Sequence, residues 1–202
     1  EAETIVSTDV ASDSLLGSNM GTYIGRVDLC IDHHGSNNFT AKEKYVESNA
    51  AANCEIIYKI LVELGVNFTE EMADCLYTGI STDTGCFKYS NVTERTHSIA
   101  SELYQYPIDA AEINKLMFDT KSKRLLELER MVLDTSEFHF DDKCMILTVT
   151  DKMQESTGCS GTDLEGIAVI SRSVEGVKAG ITIKQTDVNK FKVSVRTYEP
   201  LD

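Results

Sequence analysis

The sequence has no tryptophan and few basic side chains: 19 Lys and Arg stand against 33 Asp and Glu, which gives 202 residues a net charge of −14. Long nucleic-acid duplexes and anionic membranes repel such a chain, because nonspecific binding to both depends on Lys and Arg. Duplex DNA and membranes are therefore excluded as partners, and a polyanionic ligand must be short or held through metal ions. Without tryptophan, base stacking would need another aromatic side chain.

Long apolar runs and paired cysteines are also missing. No segment approaches the roughly 18 apolar residues of a membrane span, and the start at Glu1-Ala2-Glu3-Thr4 is acidic where a secretory signal is basic. The six cysteines form no CxxC pair and lie mostly in apolar segments, which favours free thiols over a disulfide framework. These features predict a soluble cytoplasmic protein.

Strand and helix patterns alternate in the first half of the chain. Two short apolar runs, 4–9 and 27–32, each end in an aspartate, Asp9 and Asp32. The spacing of apolar residues predicts a helix over 50–64, with Ser48-Asn49 as its N-cap, and a second helix that Thr69 caps. This alternation predicts an α/β fold with a parallel sheet.

The pattern changes in the second half of the chain. Helices are predicted over 94–104, 110–118 and 121–132, and strands over 144–149, 167–170, 177–183 and 191–195. We therefore predict a first domain over residues 1–118, a helical linker over 119–132 and a smaller α/β domain over 133–202.

Three carboxylate-containing segments carry the chemistry. Asp32-His33-His34 follows a strand, Asp83 lies near a helix C-terminus where the negative dipole disfavours a carboxylate, and Asp9 ends the first strand. Ligands bind beyond the carboxyl ends of parallel strands, so these groups can converge on a cation. Carboxylates with imidazole and no thiolate suit Mn²⁺ or Mg²⁺. The alternatives are a polar surface loop at His33-His34 and an Asx-type turn at Asp83.

These segments resemble motifs of the DHH phosphoesterase superfamily. Asp9, the triplet Asp32-His33-His34 and the string Gly79-Ile80-Ser81-Thr82-Asp83-Thr84-Gly85 resemble the second, third and fourth motifs. The strings at 48–58 and 87–91 resemble the bacterial nano-RNase branch, the bifunctional oligoribonucleases and PAP phosphatases.

The resemblance implies a phosphoesterase that uses two Mn²⁺ ions, with Mg²⁺ as an alternative. It implies that Asp9 bridges the metals, that His33 and Asp83 bind the second metal, and that His34 is a catalytic residue that contacts the scissile phosphate or assists the leaving group. Asp32 is implied as a catalytic residue that orients a neighbour rather than binding metal. Homodimerisation is a further expectation of the resemblance.

Two family elements have no counterpart in the sequence. The first motif, which supplies a His and two Asp residues, should lie upstream of Asp9, and the GGGH segment of the DHH-associated domain should follow Glu199-Pro200-Leu201-Asp202. Both domains are therefore predicted to be incomplete, which keeps open a non-catalytic metal- or nucleotide-binding fragment. An unpaired sheet edge at the missing first strand is expected to invite aggregation.

Arg196 resembles the family's arginine for a terminal substrate phosphate, and a surface arginine is the alternative. The implied activity is hydrolysis of very short oligoribonucleotides and of 3′-phosphoadenosine 5′-phosphate. Hydrolysis of linear or cyclic di-adenylate is the alternative within the same chemistry. A structural or oligomerisation protein with an incidental His-His pair is the remaining alternative. His97 and His139 are interpreted as structural or surface residues.

Overall fold

The computed structural model of the chain describes residues 3–17, 19–164, 166–171 and 173–197. Glu1-Ala2 and Glu199–Asp202, on which the sequence analysis drew, lie outside these residues. The chain divides into two compact units, Glu1–Thr120 and Lys121–Asp202.

A three-stranded parallel sheet organises the N-terminal unit. Its order is β1 (Val6–Thr8), β2 (Val27–Asp32) and β3 (Ala41–Val46). The central strand β2 buries Val27, Cys30 and Ile31, as a strand with neighbours on both sides does. The predicted α/β class with a parallel sheet is confirmed.

Four α-helices follow this sheet, of which α1 packs against β2: α1 (Asn53–Glu63), α2 (Glu70–Asp83), α3 (Glu94–Leu103) and α4 (Ala110–Asn114), which a π-helical turn over Lys115–Asp119 continues. Short 3₁₀ helices cover Asp13–Leu16 and Gly21–Tyr23. The helical core joins Tyr77 and Ile80 of α2 to Leu103 of α3. Thr69 caps α2 as predicted, because its hydroxyl accepts a hydrogen bond from the Met72 N–H at 3.3 Å.

Helix α1 begins three residues later than the sequence pattern predicts. Its N-cap is Ala52, without a side-chain cap, rather than Ser48-Asn49. The backbone carbonyl of Ala50 instead lies 3.2 Å from His33 Nδ1, and that of Ala51 accepts a hydrogen bond from the Asn91 amide. These two carbonyls would accept hydrogen bonds within the helix if α1 began at Ala50, but they contact His33 and Asn91 instead.

A four-stranded mixed sheet of order β4-β5-β6-β7 organises the C-terminal unit. Its elements are α5 (Lys123–Leu133), β4 (Glu137–His139), β5 (Cys144–Val149), α6 (Asp151–Thr157), a 3₁₀ helix (Gly161–Leu164), α7 (Ile167–Ile170), β6 (Ala179–Asp187) and β7 (Lys190–Thr197). Strands β5 and β6 are parallel, and the two other pairs are antiparallel.

One segment of this half differs from the sequence prediction. Residues 167–170 are helical rather than extended, because four consecutive apolar residues carry no periodicity that separates the two states. The helix predicted over 121–132 is present as α5, and its Leu128 and Val132 pack against Leu147 in the core of the C-terminal unit.

All six cysteines are free thiols, as the spacing of the cysteines predicts. Among the described residues, no helix combines the length and apolar character needed to cross a bilayer.

Candidate metal centre

Strand pairing brings two aspartates to one edge of the parallel sheet. Thr8 of β1 lies beside Ile31 of β2, and the Asp9 N–H donates to the Ile31 carbonyl at 3.0 Å. Asp9 has a φ of +60°, a left-handed conformation that non-glycine residues rarely adopt. Such backbone strain concentrates at functional sites, where the surrounding structure maintains it.

Asp32 is fully buried, and both of its carboxylate oxygens are occupied. One oxygen accepts hydrogen bonds from the His33 N–H and from His34 Nδ1, both at 2.8 Å. The other accepts from the Asn37 amide at 2.6 Å. Burial acts to raise the pKa of Asp32, but the hydrogen bonds from Asn37, His34 and the His33 backbone outweigh it and lower the pKa. Asp32 is therefore an ionised anchor that orients its neighbours.

The contacts of the two histidines fix which ring nitrogens remain available. His33 Nδ1 lies 3.2 Å from the Ala50 carbonyl, a contact that requires a proton on Nδ1 and leaves the Nε2 lone pair free. His34 uses Nδ1 toward Asp32, and this hydrogen bond raises the pKa of His34. The His34 side chain is 46% exposed, so its ring is accessible to a ligand.

Asp83 is the last residue of α2 and lies beside the same group. Its Oδ2 is 3.7 Å from His33 Nε2, and its carboxylate accepts a hydrogen bond from the Asn53 N–H at the start of α1. Burial, followed by the negative charge of Asp9, raises the pKa of Asp83 above its usual value. A cation between these carboxylates would relieve both penalties.

Donor oxygens of two aspartates lie near the Nε2 atom of His33. His33 Nε2 lies 3.5 Å from Asp9 Oδ1 and 3.7 Å from Asp83 Oδ2. These separations resemble those between neighbouring ligands of an ion bound at about 2.0–2.2 Å. Ligand atoms of Asp9, Asp32, His33 and His34 all lie within 4.8 Å of one another, a group that does not include Asp83. Within this group Asp32 and His34 Nδ1 are engaged with each other, which leaves Asp9 Oδ1 and His33 Nε2 available to a cation, with Asp83 Oδ2 next to His33 Nε2.

The donor set suits a hard or borderline divalent cation. It contains two carboxylates and one imidazole, the ligands that Mn²⁺ shares with Mg²⁺ and Zn²⁺. Burial, followed by the negative charges of Asp83 and Asp9, raises the pKa of the nearby Cys54 thiol to about 11. The chemistry of the residues present therefore fits a divalent metal.

The small and hydroxylic residues around Asp83 serve packing rather than ligand approach. A Cβ at Gly79 would overlap the Cys54 sulfur and lie 3.2 Å from Cys54 Cβ, so Gly79 permits the close contact of α1 and α2. The buried Ser81 hydroxyl donates to Asn114 at 2.6 Å, and the buried Thr84 hydroxyl donates to the Ile80 carbonyl at 2.6 Å. The motif thus fixes the end of α2 and with it Asp83.

Two asparagines support the centre and were given no role in the sequence analysis. Besides binding Asp32, the Asn37 amide donates to the Val10 carbonyl at 3.2 Å, which ties the loops after β1 and β2 together. The Asn91 amide contacts the carbonyls of Ala51 and Asp83 at 3.0 and 3.4 Å. Short polar residues are common in loops, so the sequence alone carried no signal for these contacts.

The other sequence candidates lie on other elements of the fold. Arg196 is on β7 in the C-terminal unit, where it is exposed. His97 stacks on Phe87, with ring centroids 5.4 Å apart, and His139 lies exposed on β4. The structure therefore brings together Asp9, Asp32, His33, His34 and Asp83.

Comparison with known proteins gives matches over nearly the whole chain. Residues 3–80 match the DHH family, N-terminal domain. A bifunctional oligoribonuclease and PAP phosphatase NrnA from Thermus thermophilus is 31% identical over 195 residues, covering 96% of this chain and 57% of that protein. The Bacillus subtilis protein of the same name is 24% identical and covers 85% of this chain and 55% of its own length. The chain thus spans a little over half the length of these relatives.

A solved structure shares the fold. An exopolyphosphatase-related protein from Bacteroides fragilis superposes with a TM-score of 0.86 at 24% identity, over 98% of this chain and 59% of its own. Together with the family match and the relatives, this confirms the resemblance inferred from the aspartate and histidine motifs. Residues 3–80 of the chain therefore belong to the N-terminal domain of the DHH family.

Proposed function

We propose that this chain is part of a metal-dependent phosphoesterase that hydrolyses very short oligoribonucleotides and 3′-phosphoadenosine 5′-phosphate. The observation that carries this proposal is that His33 Nε2 lies 3.5 Å from Asp9 Oδ1 and 3.7 Å from Asp83 Oδ2, with Asp9 and His33 inside the segment that matches the DHH family. The substrates are those in the names of the Thermus and Bacillus relatives. A net charge of −14 agrees with a short substrate, since a long polyanion would be repelled.

In this proposal Asp9, His33 and Asp83 hold a divalent ion, Mn²⁺ with Mg²⁺ as the alternative. The ion would polarise a phosphoryl oxygen and lower the pKa of a water molecule. A second Mn²⁺ belongs to the proposed two-metal mechanism. Among the described residues, a single group of His and acidic side chains, Asp9, Asp32, His33 and His34, has ligand atoms that all lie within 4.8 Å of one another, so we expect this chain to supply the protein ligands of one ion.

The remaining residues act on the substrate or on their neighbours. Asp32 orients His34 through the 2.8 Å hydrogen bond to Nδ1, which directs Nε2 away from the anchor. In its doubly protonated form His34 would donate a hydrogen bond from Nε2 to the scissile phosphate. Arg196 would bind another phosphate of the substrate, because its guanidinium matches two phosphoryl oxygens at once.

Calorimetric titration of Mn²⁺ into the 202-residue chain tests the centre. Asp83→Asn removes a charge that burial disfavours and preserves the side-chain shape, so the variant is expected to fold. We expect about one ion per chain and a loss of at least roughly 10-fold in affinity for Asp83→Asn, since a ligand is removed. Glu70→Gln, which removes an exposed charge at the other end of the same helix, should bind as the wild type does.

Hydrolysis of a short oligoribonucleotide and of 3′-phosphoadenosine 5′-phosphate is measured on the same samples. Turnover that Asp83→Asn abolishes and Glu70→Gln preserves would support the proposal. Equal Mn²⁺ binding by wild type and Asp83→Asn would contradict the assigned centre. Metal binding without turnover of either substrate would favour the alternative of a metal- or nucleotide-binding fragment, and selective turnover of di-adenylate would favour the alternative substrate.

We further propose that the protein acts in the cytoplasm, in agreement with its six free cysteines. Homodimerisation remains a proposal from the family resemblance, and sedimentation analysis of the chain would test it.

A further inference from the structure

Asp83 is the last residue of α2, and its position depends on how firmly the end of this helix is held. The last turn of a helix opens more easily than its middle. Beyond this residue the backbone is left-handed at Gly85, Cys86 and Phe87, with φ values of +56°, +59° and +60°. The chain therefore leaves the helix at once, and the direction of the Asp83 side chain relies on tertiary contacts that hold the final turn.

Asn114, at the end of α4, makes two hydrogen bonds to this part of α2. The Ser81 hydroxyl donates to Asn114 Oδ1 at 2.6 Å, and Asn114 Nδ2 donates to the Tyr77 hydroxyl at 3.0 Å. Tyr77 and Ser81 are only 2% and 0% exposed, and their spacing of four residues places them on one face of the helix. Both groups of the amide are therefore used on the buried face of α2, and Ser81 lies two residues before Asp83.

The directions of the hydrogen bonds require an amide at position 114. Because the Tyr77 oxygen accepts from Asn114, the Tyr77 proton is available to the Tyr104 oxygen, which lies 3.5 Å away. Burial, followed by this contact with Tyr104, raises the pKa of Tyr77 to about 12, so the phenol is protonated at neutral pH. A side-chain amide accepts from Ser81 and donates to Tyr77 at the same time, whereas an ionised carboxylate has no donor.

The segment that follows Asn114 is irregular and contacts the loop after α2. It forms the π-helical turn over Lys115–Asp119, and the N-terminal unit ends one residue later. Single π-helical turns are rare and occur frequently at functional sites. Lys88 Nζ, in the loop after α2, lies 5.6 Å from the centre of the Phe118 ring. Asn114 and the turn therefore contact the chain both before and after Asp83.

We propose that Asn114 is a positioning residue of the metal centre, which holds the end of α2 through Ser81 and Tyr77 and thereby directs the Asp83 carboxylate toward the ion. The inference rests on the proposed function for the assignment of Asp83 as a metal ligand. Asn114 lies outside residues 3–80, the segment that matches the DHH family. A contact that strengthens metal binding is itself strengthened by the metal, so a bound ion should stabilise the turn over Lys115–Asp119.

Calorimetric titration of Mn²⁺ into the 202-residue chain compares the variants at a temperature at which circular dichroism shows each to be folded. We expect Asn114→Ala to weaken Mn²⁺ binding by about 3–10-fold, as the loss of a hydrogen bond that supports a ligand would. Ser81→Ala should weaken it as well, and the double variant should bind no more weakly than Asn114→Ala, because both changes remove the same hydrogen bond.

Thr78→Val is the matched control for Ser81→Ala. It removes another hydroxyl of α2, whose hydrogen bond to the Asp74 carbonyl at 2.7 Å stays within the helix, and it should change the affinity less than about two-fold. Unchanged affinity in Asn114→Ala, additive losses in the double variant, or equal weakening by Thr78→Val and Ser81→Ala would overturn the proposal. If Asn114→Ala does not fold, the comparison of Ser81→Ala with Thr78→Val decides alone.

Two further measurements distinguish positioning from a general loss of stability. The electron paramagnetic resonance spectrum of bound Mn²⁺ depends on the arrangement of its ligands, so Asn114→Ala should change it at saturating Mn²⁺ and Thr78→Val should not. Amide hydrogen exchange over residues 114–119 of the wild type should slow when Mn²⁺ binds, and Asn114→Ala should lose this response. An unchanged spectrum in Asn114→Ala, or exchange that does not respond to Mn²⁺ in the wild type, would show that Asn114 supports the fold alone.

Asp83→Asn and the metal-free chain separate this inference from the proposed function. If Asp83→Asn binds Mn²⁺ as the wild type does, the assigned centre fails and the inference fails with it. If Asp83→Asn weakens binding and neither Asn114→Ala nor Ser81→Ala does, the inference fails and the proposed function stands. Without metal, Asn114→Ala should speed exchange of the Thr84 amide, which donates to the Ile80 carbonyl at 3.2 Å, and unchanged exchange would overturn the inference whatever the metal does.

Discussion

Replacing Gly79 by alanine tests whether the small residues of the fourth motif serve helix packing or ligand approach. The new Cβ would overlap the Cys54 sulfur and lie 3.2 Å from Cys54 Cβ. Overpacking at a buried contact costs about 1–3 kcal/mol, whereas alanine gains about 1 kcal/mol over glycine within a helix. We therefore expect Gly79→Ala to lower the free energy of unfolding by up to about 2 kcal/mol.

The same change in a Cys54→Ala background provides the control. Without the sulfur atom the remaining close contact is the 3.2 Å approach of two Cβ atoms, which a shift of a few tenths of an ångström relieves. Gly79→Ala should then be neutral or slightly stabilising. The double-mutant cycle should give a coupling of at least about 1 kcal/mol, which corresponds to about 2–4 °C in melting temperature for a chain of this size.

Urea denaturation of the four proteins, followed by circular dichroism, measures the cycle, and Mn²⁺ titration of each protein measures the site. The packing interpretation is refuted if Gly79→Ala has the same effect in both backgrounds. It is refuted equally if Gly79→Ala leaves stability unchanged and abolishes Mn²⁺ binding, because the glycine would then be required by the ligand and not by α1.

Two further predictions concern the ion pairs that connect α1 and α3. Arg95→Ala should lower the free energy of unfolding by about 3–5 kcal/mol, because it leaves the fully buried Glu55 carboxylate without its 2.8 Å partner. Arg130→Ala, which removes an exposed ion pair, should lower it by less than about 1 kcal/mol. Urea denaturation measures both losses, and equal losses would contradict the expectation. Hydrogen bonds, first from Tyr45 and then from Lys59 and Arg95, lower the pKa of Glu47 from 4.5 to about 2. The contribution of ionised Glu47 to the free energy of unfolding, at most about 3 kcal/mol, should be present above pH 4.5 and be lost as the pH falls toward 2. Glu47→Gln should therefore flatten the pH dependence of the free energy of unfolding over this range.

The sequence predicted elements whose signals are local. Thr69 and the acidic residues after it specified the start of α2, and Asp83 was correctly expected near its end. The apolar strand at 27–32 and its terminal aspartate were also predicted, because a central strand carries a continuous apolar run. The presence of Asp9, Asp32 and Asp83 at chain positions that suit a metal site was evident before any contact was known.

Elements with weak local signals were missed. Strand β3 contains the consecutive charged residues Lys42-Glu43-Lys44 and is exposed along most of its length, so its sequence has no apolar pattern. It forms because the edge of β2 offers backbone hydrogen-bonding groups. Helix α6 was also missed, although Thr150 caps it through the Met153 N–H at 3.3 Å. The extended prediction for 167–170 was wrong, because α7 is decided by packing of Ile167 into the core and not by a repeat.

The sequence by itself determined the residue types of the candidate metal centre and the parallel strands that lead to two of them, since these depend on composition and short-range pattern. Only the tertiary structure decided which ligand atoms remain available to a cation. The Asp32 carboxylate is hydrogen-bonded to His34 and Asn37, and His33 Nδ1 is hydrogen-bonded to the Ala50 carbonyl. It also decided that Gly79 accommodates Cys54 and that Asn114 contacts Ser81. These properties depend on contacts between residues far apart in the chain, which propensity and spacing do not encode.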